Sequence, residues 1–158
     1  MIESQKIKKV ENRKIAIVSD HAGYYLKEKI IKFLIKNNTE LKDLGCYSYE
    51  ETDDYPDFGH HLAKAISYGE FDIGFSICGT GNGINMTVNK HQGIRSALCW
   101  TEEISCLARK HNDANICALP ARFINESEAL LIVRAFLETE FEAGRHKRRI
   151  DKIPLKMY

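Results

Sequence analysis

Apolar residues fall along this chain in short continuous runs, separated by stretches where they recur every three or four positions. The first run, Lys14 to Asp20, is rich in β-branched residues and ends in polar ones. After Gly23, the residues Leu26, Ile30, Phe33 and Leu34 share one face of a helix. A weaker strand, Glu40 to Leu44, stops at Gly45, and a loop over Cys46 to Pro56 leads to helical spacing at Phe58, Leu62, Ala65 and Ile66. Phe71 to Ile77 reads as a buried strand, and Ile84 to Val88 can start a third helix. Ile94 to Cys99 is a further strand, followed by a helix capped by Thr101 and reaching about His111. Asn115 to Leu119 is the fifth strand, and Leu130, Val133, Phe136 and Leu137 mark the helix after it.

Strands that are continuously apolar need cover on both faces. Their alternation with helices predicts an α/β domain with a five-stranded parallel sheet between two helical layers. Ligands of such sheets bind outside the carboxyl ends of the strands. Asp20-His21, Cys78 to Gly83 and the turn after Leu119 are therefore expected to share one edge.

Composition narrows the class. The 158 residues are 44% hydrophobic and 28% charged, enough for one domain with a real core. A net charge of +1 gives no reason to expect nucleic acid or an anionic membrane as partner. No apolar stretch approaches the roughly 20 residues of a membrane span. Residues 1–13 lack the apolar core of a signal peptide and are expected to form a mobile extension, with the domain over 14–158 and the protein in the cytoplasm. The five cysteines, at 46, 78, 99, 106 and 117, form no C-x-x-C pair and suggest neither a disulfide framework nor a metal site.

The stretch Ile77-Cys78-Gly79-Thr80-Gly81-Asn82-Gly83, between a strand and a helix, carries the clearest chemical signal. Glycines there can turn backbone N–H groups toward one point, and a helix N-terminus can hold an anion or a developing negative charge. It is neither a dinucleotide fingerprint, whose last glycine would fall at Ile84, nor a Walker loop, which ends in Gly-Lys-Ser/Thr. Cys78 taken alone would more often be a small buried hydrophobe than a reactive thiol; beside an anion hole and Thr80 it is a candidate base.

Other candidates carry two readings each. Asp20-His21 is a turn cap or part of the ligand edge. His111-Asn112-Asp113 closes a helix, where histidine suits the negative dipole end and asparagine tolerates left-handed geometry. If functional, His111 reaches a ligand edge most easily on a neighbouring subunit. Arg145 and Arg149, four apart, can share a helix face and clamp one phosphate, with Arg122 as a third positive group; otherwise the basic run Arg145 to Arg149 is a solvated face. His60, His61 and His91 read as surface histidines.

Ser19-Asp20-His21-Ala22-Gly23, Asp54-Tyr55-Pro56-Asp57, the Ile77 to Gly83 loop, His111-Asn112-Asp113-Ala114-Asn115 and Gly144-Arg145-His146 with Arg149 together resemble the ribose-5-phosphate isomerase B family. That family also includes allose-6-phosphate isomerases and the subunits of galactose-6-phosphate isomerase. The resemblance covers roughly residues 14 to 153. It implies a Rossmann-like fold, a homodimer or dimer of dimers with active sites built across two subunits, and neither a metal nor an organic cofactor. It implies an aldose–ketose isomerase of ribose 5-phosphate and ribulose 5-phosphate, with six-carbon sugar phosphates or a non-catalytic phosphosugar-binding subunit as alternatives.

By that similarity Cys78 moves the proton between C1 and C2 with help from Thr80. The amides of Gly79, Gly81, Asn82 and Gly83 stabilise the enediolate, and His111 opens the sugar ring with Asp20. His21, Arg122, Arg145 and Arg149 hold the phosphate, while Asn112 and Tyr55 line the sugar. One branch of the family uses a glutamate after the glycine loop in place of the cysteine. Here that slot is Ile84, which implies the cysteine branch; Pro120, where glycine is common, departs from the pattern.

Overall fold

Five parallel strands in the order β2-β1-β3-β5-β4 form the sheet of this computed structural model, which describes residue 7 and residues 13–155. The chain runs through β1 (Ile15–Ser19), a 3₁₀ turn (His21–Gly23), α1 (Tyr24–Lys36), β2 (Leu41–Asp43) and α2 (Tyr55–Ser67). It continues through β3 (Ile73–Cys78), α3 (Asn82–Val88), β4 (Ser96–Leu98), α4 (Glu102–Asn112), β5 (Ile116–Pro120), α5 (Glu126–Glu138) and α6 (Arg145–Ile150). Among the described residues no helix is long and apolar enough to cross a membrane.

Every residue of β1, β3 and β5 is buried, because alternate side chains feed two different cores. Ile15, Ile17, Phe75, Ile77, Cys117 and Leu119 pack with residues of α1, α4 and α5, including Leu34, Ala108 and Phe136. The Phe75 and Phe136 rings meet edge to face at 5.9 Å. Ala16, Val18, Cys78 and Ile116 face α2 and α3, where they meet Leu62, Ile66 and Ile84. Small residues let α2 approach this second face: a Cβ on Gly74 would lie 2.6 Å from Cδ1 of Ile66. Each fully buried aliphatic or aromatic side chain contributes roughly 1.5–3 kcal/mol.

The two outer strands are shorter than the sequence predicts. β2 keeps only Leu41 to Asp43 of the expected Glu40–Leu44, and β4 keeps Ser96 to Leu98 of Ile94–Cys99. Each has a ladder partner on one side only, so pairing ends sooner, although Ile94 and Cys99 remain buried. α1 is tied to β2 by Lys27, whose side chain is fully buried against Asp43 and Glu28.

The expected N-terminal extension falls mainly on residues outside the described set. Two of its residues are described. Ile7 is buried, with its N–H donating to Oδ1 of Asn37 at 3.1 Å, and Arg13 pairs with Glu140 at 3.0 Å.

Candidate active site

The carboxyl ends of β1, β3 and β5 are brought level by their register. Ser19 pairs with Ile77 and Cys78 with Pro120. The sheet order reverses direction between β1 and β3, and Asp20 and Cys78 flank that switch point, where ligands of open α/β sheets bind. The N–H of Asp20 donates to the Ile77 carbonyl at 3.2 Å, while Ala121 and Arg122 donate to the carbonyls of Cys78 and Gly79, both at 3.0 Å. The three polar segments expected to meet do so.

Cys78 is 4% exposed at the end of β3, and Thr80 is exposed two residues on. The glycines of the loop serve different needs. Only Gly81 takes a left-handed conformation, φ +72°, where a side chain would also strike Leu98. Gly79 and Gly83 are there for close approach. A Cβ on Gly79 would lie 3.2 Å from Cζ of Arg122, and one on Gly83 would lie 2.5 Å from Cζ of Tyr55. Arg122 and Tyr55 thus close over the loop from two sides. The first N–H groups of α3 have no acceptor within the helix, and that of Asn82 donates to Oγ1 of Thr80 at 3.3 Å.

Asp20 is 5% exposed and caps the 3₁₀ turn, its Oδ1 accepting from the Gly23 N–H at 3.0 Å. Burial pushes its carboxyl above the ordinary carboxylate range, opposed by that hydrogen bond. His21 is fixed by Asp53, a residue that sequence reasoning missed. Oδ1 of Asp53 accepts from the His21 N–H at 2.9 Å and lies 2.6 Å from Nδ1 of its ring. That side-chain hydrogen bond pushes His21 above the ordinary histidine range, and the charge of Asp20 adds to it. No spacing signal ties residues 32 apart in sequence, and Asp53 sits in an acidic loop run that reads as a solvated surface.

The remaining candidates lie at the other end of the sheet. α4 leaves the tip of β4 and returns the chain to the start of β5, which places His111 and Asn112 at the amino edge. Asp113, not Asn112, takes the left-handed position, φ +44°. Arg95 and Arg109 hold it there, each donating to a different carboxylate oxygen at 2.9 Å, and Nε of Arg95 donates to the Asn112 carbonyl at 2.9 Å. Two bidentate-capable cations outweigh the intrinsic preference of asparagine.

α6 docks against this end of α4, where the Glu142 N–H donates to the Lys110 carbonyl. Arg145 and Arg149 are exposed on α6, and His146 is buried against His111. His146 and Ile150 form the buried face of α6; their four-residue spacing was a usable signal inside a run that reads as uniformly basic. His60 and His91, expected as unpartnered surface histidines, bond to each other at 2.7 Å. Within one chain, then, Asp20, His21, Tyr55, Cys78, Thr80, the glycine loop and Arg122 gather at the carboxyl edge. His111, Asn112, Arg145 and Arg149 gather at the amino edge.

Among the described residues, two groups of side chains have metal-ligand types within 4.8 Å of one another: Asp20, His21 and Asp53, and His111, Glu142 and His146. In the first, Asp53 and Nδ1 of His21 already satisfy each other. In the second, the imidazole planes are within 7° of parallel, so their in-plane lone pairs do not converge on one ion.

Known proteins resemble this chain along most of its length. The family described as Ribose/Galactose Isomerase matches residues 15–153. A probable ribose-5-phosphate isomerase B from Mycoplasma genitalium is 44% identical over 140 residues, which cover 88% of this chain and 92% of the relative. Ribose-5-phosphate isomerase B of Escherichia coli is 40% identical over 141 residues, covering 89% of this chain and 94% of the relative. Among solved structures, a ribose 5-phosphate isomerase from Thermotoga maritima is 46% identical with a TM-score of 0.87, over 90% of this chain and 98% of that one. Ribose-5-phosphate isomerase B from Mycoplasma genitalium with bound ribulose-5-phosphate is 43% identical with a TM-score of 0.86, over 89% and 93%. Running from the first residue of β1 to beyond the end of α6, the match makes this chain a member of the ribose/galactose isomerase family.

Proposed function

We propose that the chain is an aldose–ketose isomerase that interconverts ribose 5-phosphate and ribulose 5-phosphate through an enediolate. The observation that carries this reading is a buried thiol at the tip of β3, next to a glycine loop that opens a helix and lies under Arg122. The bound ribulose-5-phosphate of a structure 43% identical to this chain supports the substrate class.

In the proposed mechanism Cys78, as thiolate, takes the proton from C2 of the open-chain aldose and returns it to C1, while the hydroxyl proton of O2 passes to O1, so that C1 becomes the alcohol and C2 the ketone. Negative charge passes to the carbonyl oxygen, where the N–H groups of the Gly79 to Gly83 loop stabilise it; losing one such donor typically costs about 3 kcal/mol. Thr80 donates a hydrogen bond beside the base. His21 and Arg122 bind the phosphate together with Arg145 and Arg149, and Tyr55 and Asn112 line the sugar.

His111 opens the furanose ring, with Asp20 as the second proton carrier. Its placement at the opposite edge from Cys78 supports a site completed by a second copy of the chain. Met86, Trp100 and Phe123 expose large apolar side chains on segments that follow the tips of β3, β4 and β5, as an interface there would need. The reading includes a homodimer or dimer of dimers in the cytoplasm, without metal or organic cofactor.

The test is turnover of ribose 5-phosphate by the purified protein in deuterated water. An enediolate exchanging its proton with solvent should place deuterium on the product carbon. Absence of ribulose 5-phosphate would overturn the activity, and deuterium at C1 of the product would mark transfer through a base rather than a direct hydride shift.

A further inference from the structure

Asp53 is a carboxylate at the carboxyl edge to which the proposed mechanism gives no task. It is 11% exposed, and its contacts are specific. Oδ1 takes both the backbone N–H and Nδ1 of His21, while Oδ2 is buried and makes no hydrogen bond among the described residues. The two contacts to His21 fix the ring plane and engage Nδ1, which leaves Nε2 as the ring nitrogen available to a ligand.

From this arrangement we infer that Asp53 is a positioning residue for phosphate recognition: it orients His21 and keeps it a cation facing the phosphate dianion. The inference rests on the proposed role of His21 in holding phosphate. The titratable groups facing His21 are Asp20 on its chain-neighbour side, and Tyr49 and Asp53 from the β2–α2 loop. The Tyr49 ring meets the His21 ring edge-on at 6.1 Å and stacks on Tyr25, and the Cys46 thiol lies behind Asp53. Both carboxylates favour the imidazolium, and Asp53 does so most. The sign is therefore fixed: His21 keeps its charge to higher pH than a free histidine, and removing the Asp53 charge lowers that limit.

Asp53→Asn separates the two parts of the role, since its amide oxygen can still accept from Nδ1–H while the charge is gone. Sulfate is a suitable probe because it remains a dianion across the histidine range. At pH 5, well below the ordinary histidine range, the variant should bind sulfate within about twofold of the parent. At pH 8 it should bind roughly three- to tenfold more weakly, tenfold being the effect of one pKa unit. The KM for ribose 5-phosphate should follow the same pattern with little change in kcat.

Imidazole NMR of the full-length protein should show His21 titrating lower in Asp53→Asn than in the parent. An equal affinity ratio at both pH values, or an unmoved His21 titration, would overturn the inference even if the enzyme is active. A parent that binds sulfate in this pH-dependent way but does not turn over ribose 5-phosphate would instead overturn the isomerase reading. Should the variant fold poorly, the parent decides: His21 titrating at or below the ordinary histidine range sinks the proposal.

Discussion

The imidazole rings of His111 and His146 lie face to face, with centroids 4.2 Å apart and planes within 7°. His146 comes from α6 and is buried at 7% exposure, so the stack joins the last turn of α4 to the helix that carries Arg145 and Arg149. Burial holds His146 below the ordinary histidine range, and positive charge at His111, Arg145 and Arg149 adds to the effect. Its pKa is then lower folded than unfolded, so the unfolded chain binds more protons as pH falls through the histidine range. Stability present above about pH 6.5 is lost on acidification. The melting temperature should fall between pH 7 and pH 5, and His146→Phe, which keeps a ring but not the titration, should flatten the profile. An unchanged profile in that variant would remove the stack as its cause.

Cys78→Ala should lower turnover of ribose 5-phosphate by roughly 10²–10⁴, the range over which a positioned general base acts. Binding of ribulose 5-phosphate should persist, because the phosphate contacts are separate groups. Steady-state kinetics with a binding isotherm checks both halves, and turnover within a few-fold of the parent would remove Cys78 as base.

Arg145→Ala and Arg149→Ala should raise KM by about tenfold each and leave kcat nearly unchanged. A phosphate remote from C1 and C2 is bound alike in ground and transition states, so losing its contacts weakens binding uniformly. If both variants keep the parent KM, the exposed arginines of α6 are a solvated face.

Cys78→Ala and His111→Ala chains, each inactive alone, should regain part of the activity when mixed. Cys78 and His111 sit at opposite edges of one sheet, so a mixed dimer can hold one intact site. Recovery up to about a quarter of parent activity is expected for random pairing. No recovery, with subunit exchange confirmed by mass spectrometry, would place both residues in one chain's site.

Lys27→Ala should destabilise the fold by about 2–4 kcal/mol in urea denaturation. The ammonium is fully buried, and its loss strands Asp43 and leaves a cavity, though Asp43 is 27% exposed and water relieves part of the cost. Lys27→Met, which refills the volume, should recover part of the loss. A cost below about 0.5 kcal/mol for the alanine variant would mean the pair contributes nothing to holding β2 against α1.

Much of the architecture was legible from local pattern. Ile15 to Ser19, Ile73 to Cys78 and Ile116 to Pro120 are almost continuously apolar, with only Ser19 and Ser76 polar, because both sides of a central strand are covered. The loop after Cys78 was legible for a related reason: glycines, a thiol and a threonine together have few structural uses.

Edge-strand length was not legible, since Glu40, Leu44, Ile94 and Cys99 are decided by where a neighbour's ladder stops. Neither was the left-handed residue that ends α4: Asp113 takes it because Arg95, from the segment before β4, joins Arg109, one turn back in α4, on its carboxylate. Asp53 and the stacking partner of His146 were beyond local reading for the same reason. A charged residue in an acidic loop, or a histidine in a basic run, acquires its task only when the fold sets it against a partner far away in sequence. Residue types that chemistry restricts can be read from the chain itself, whereas hydrogen-bond partners and the division of candidates between two edges depend on how the elements pack.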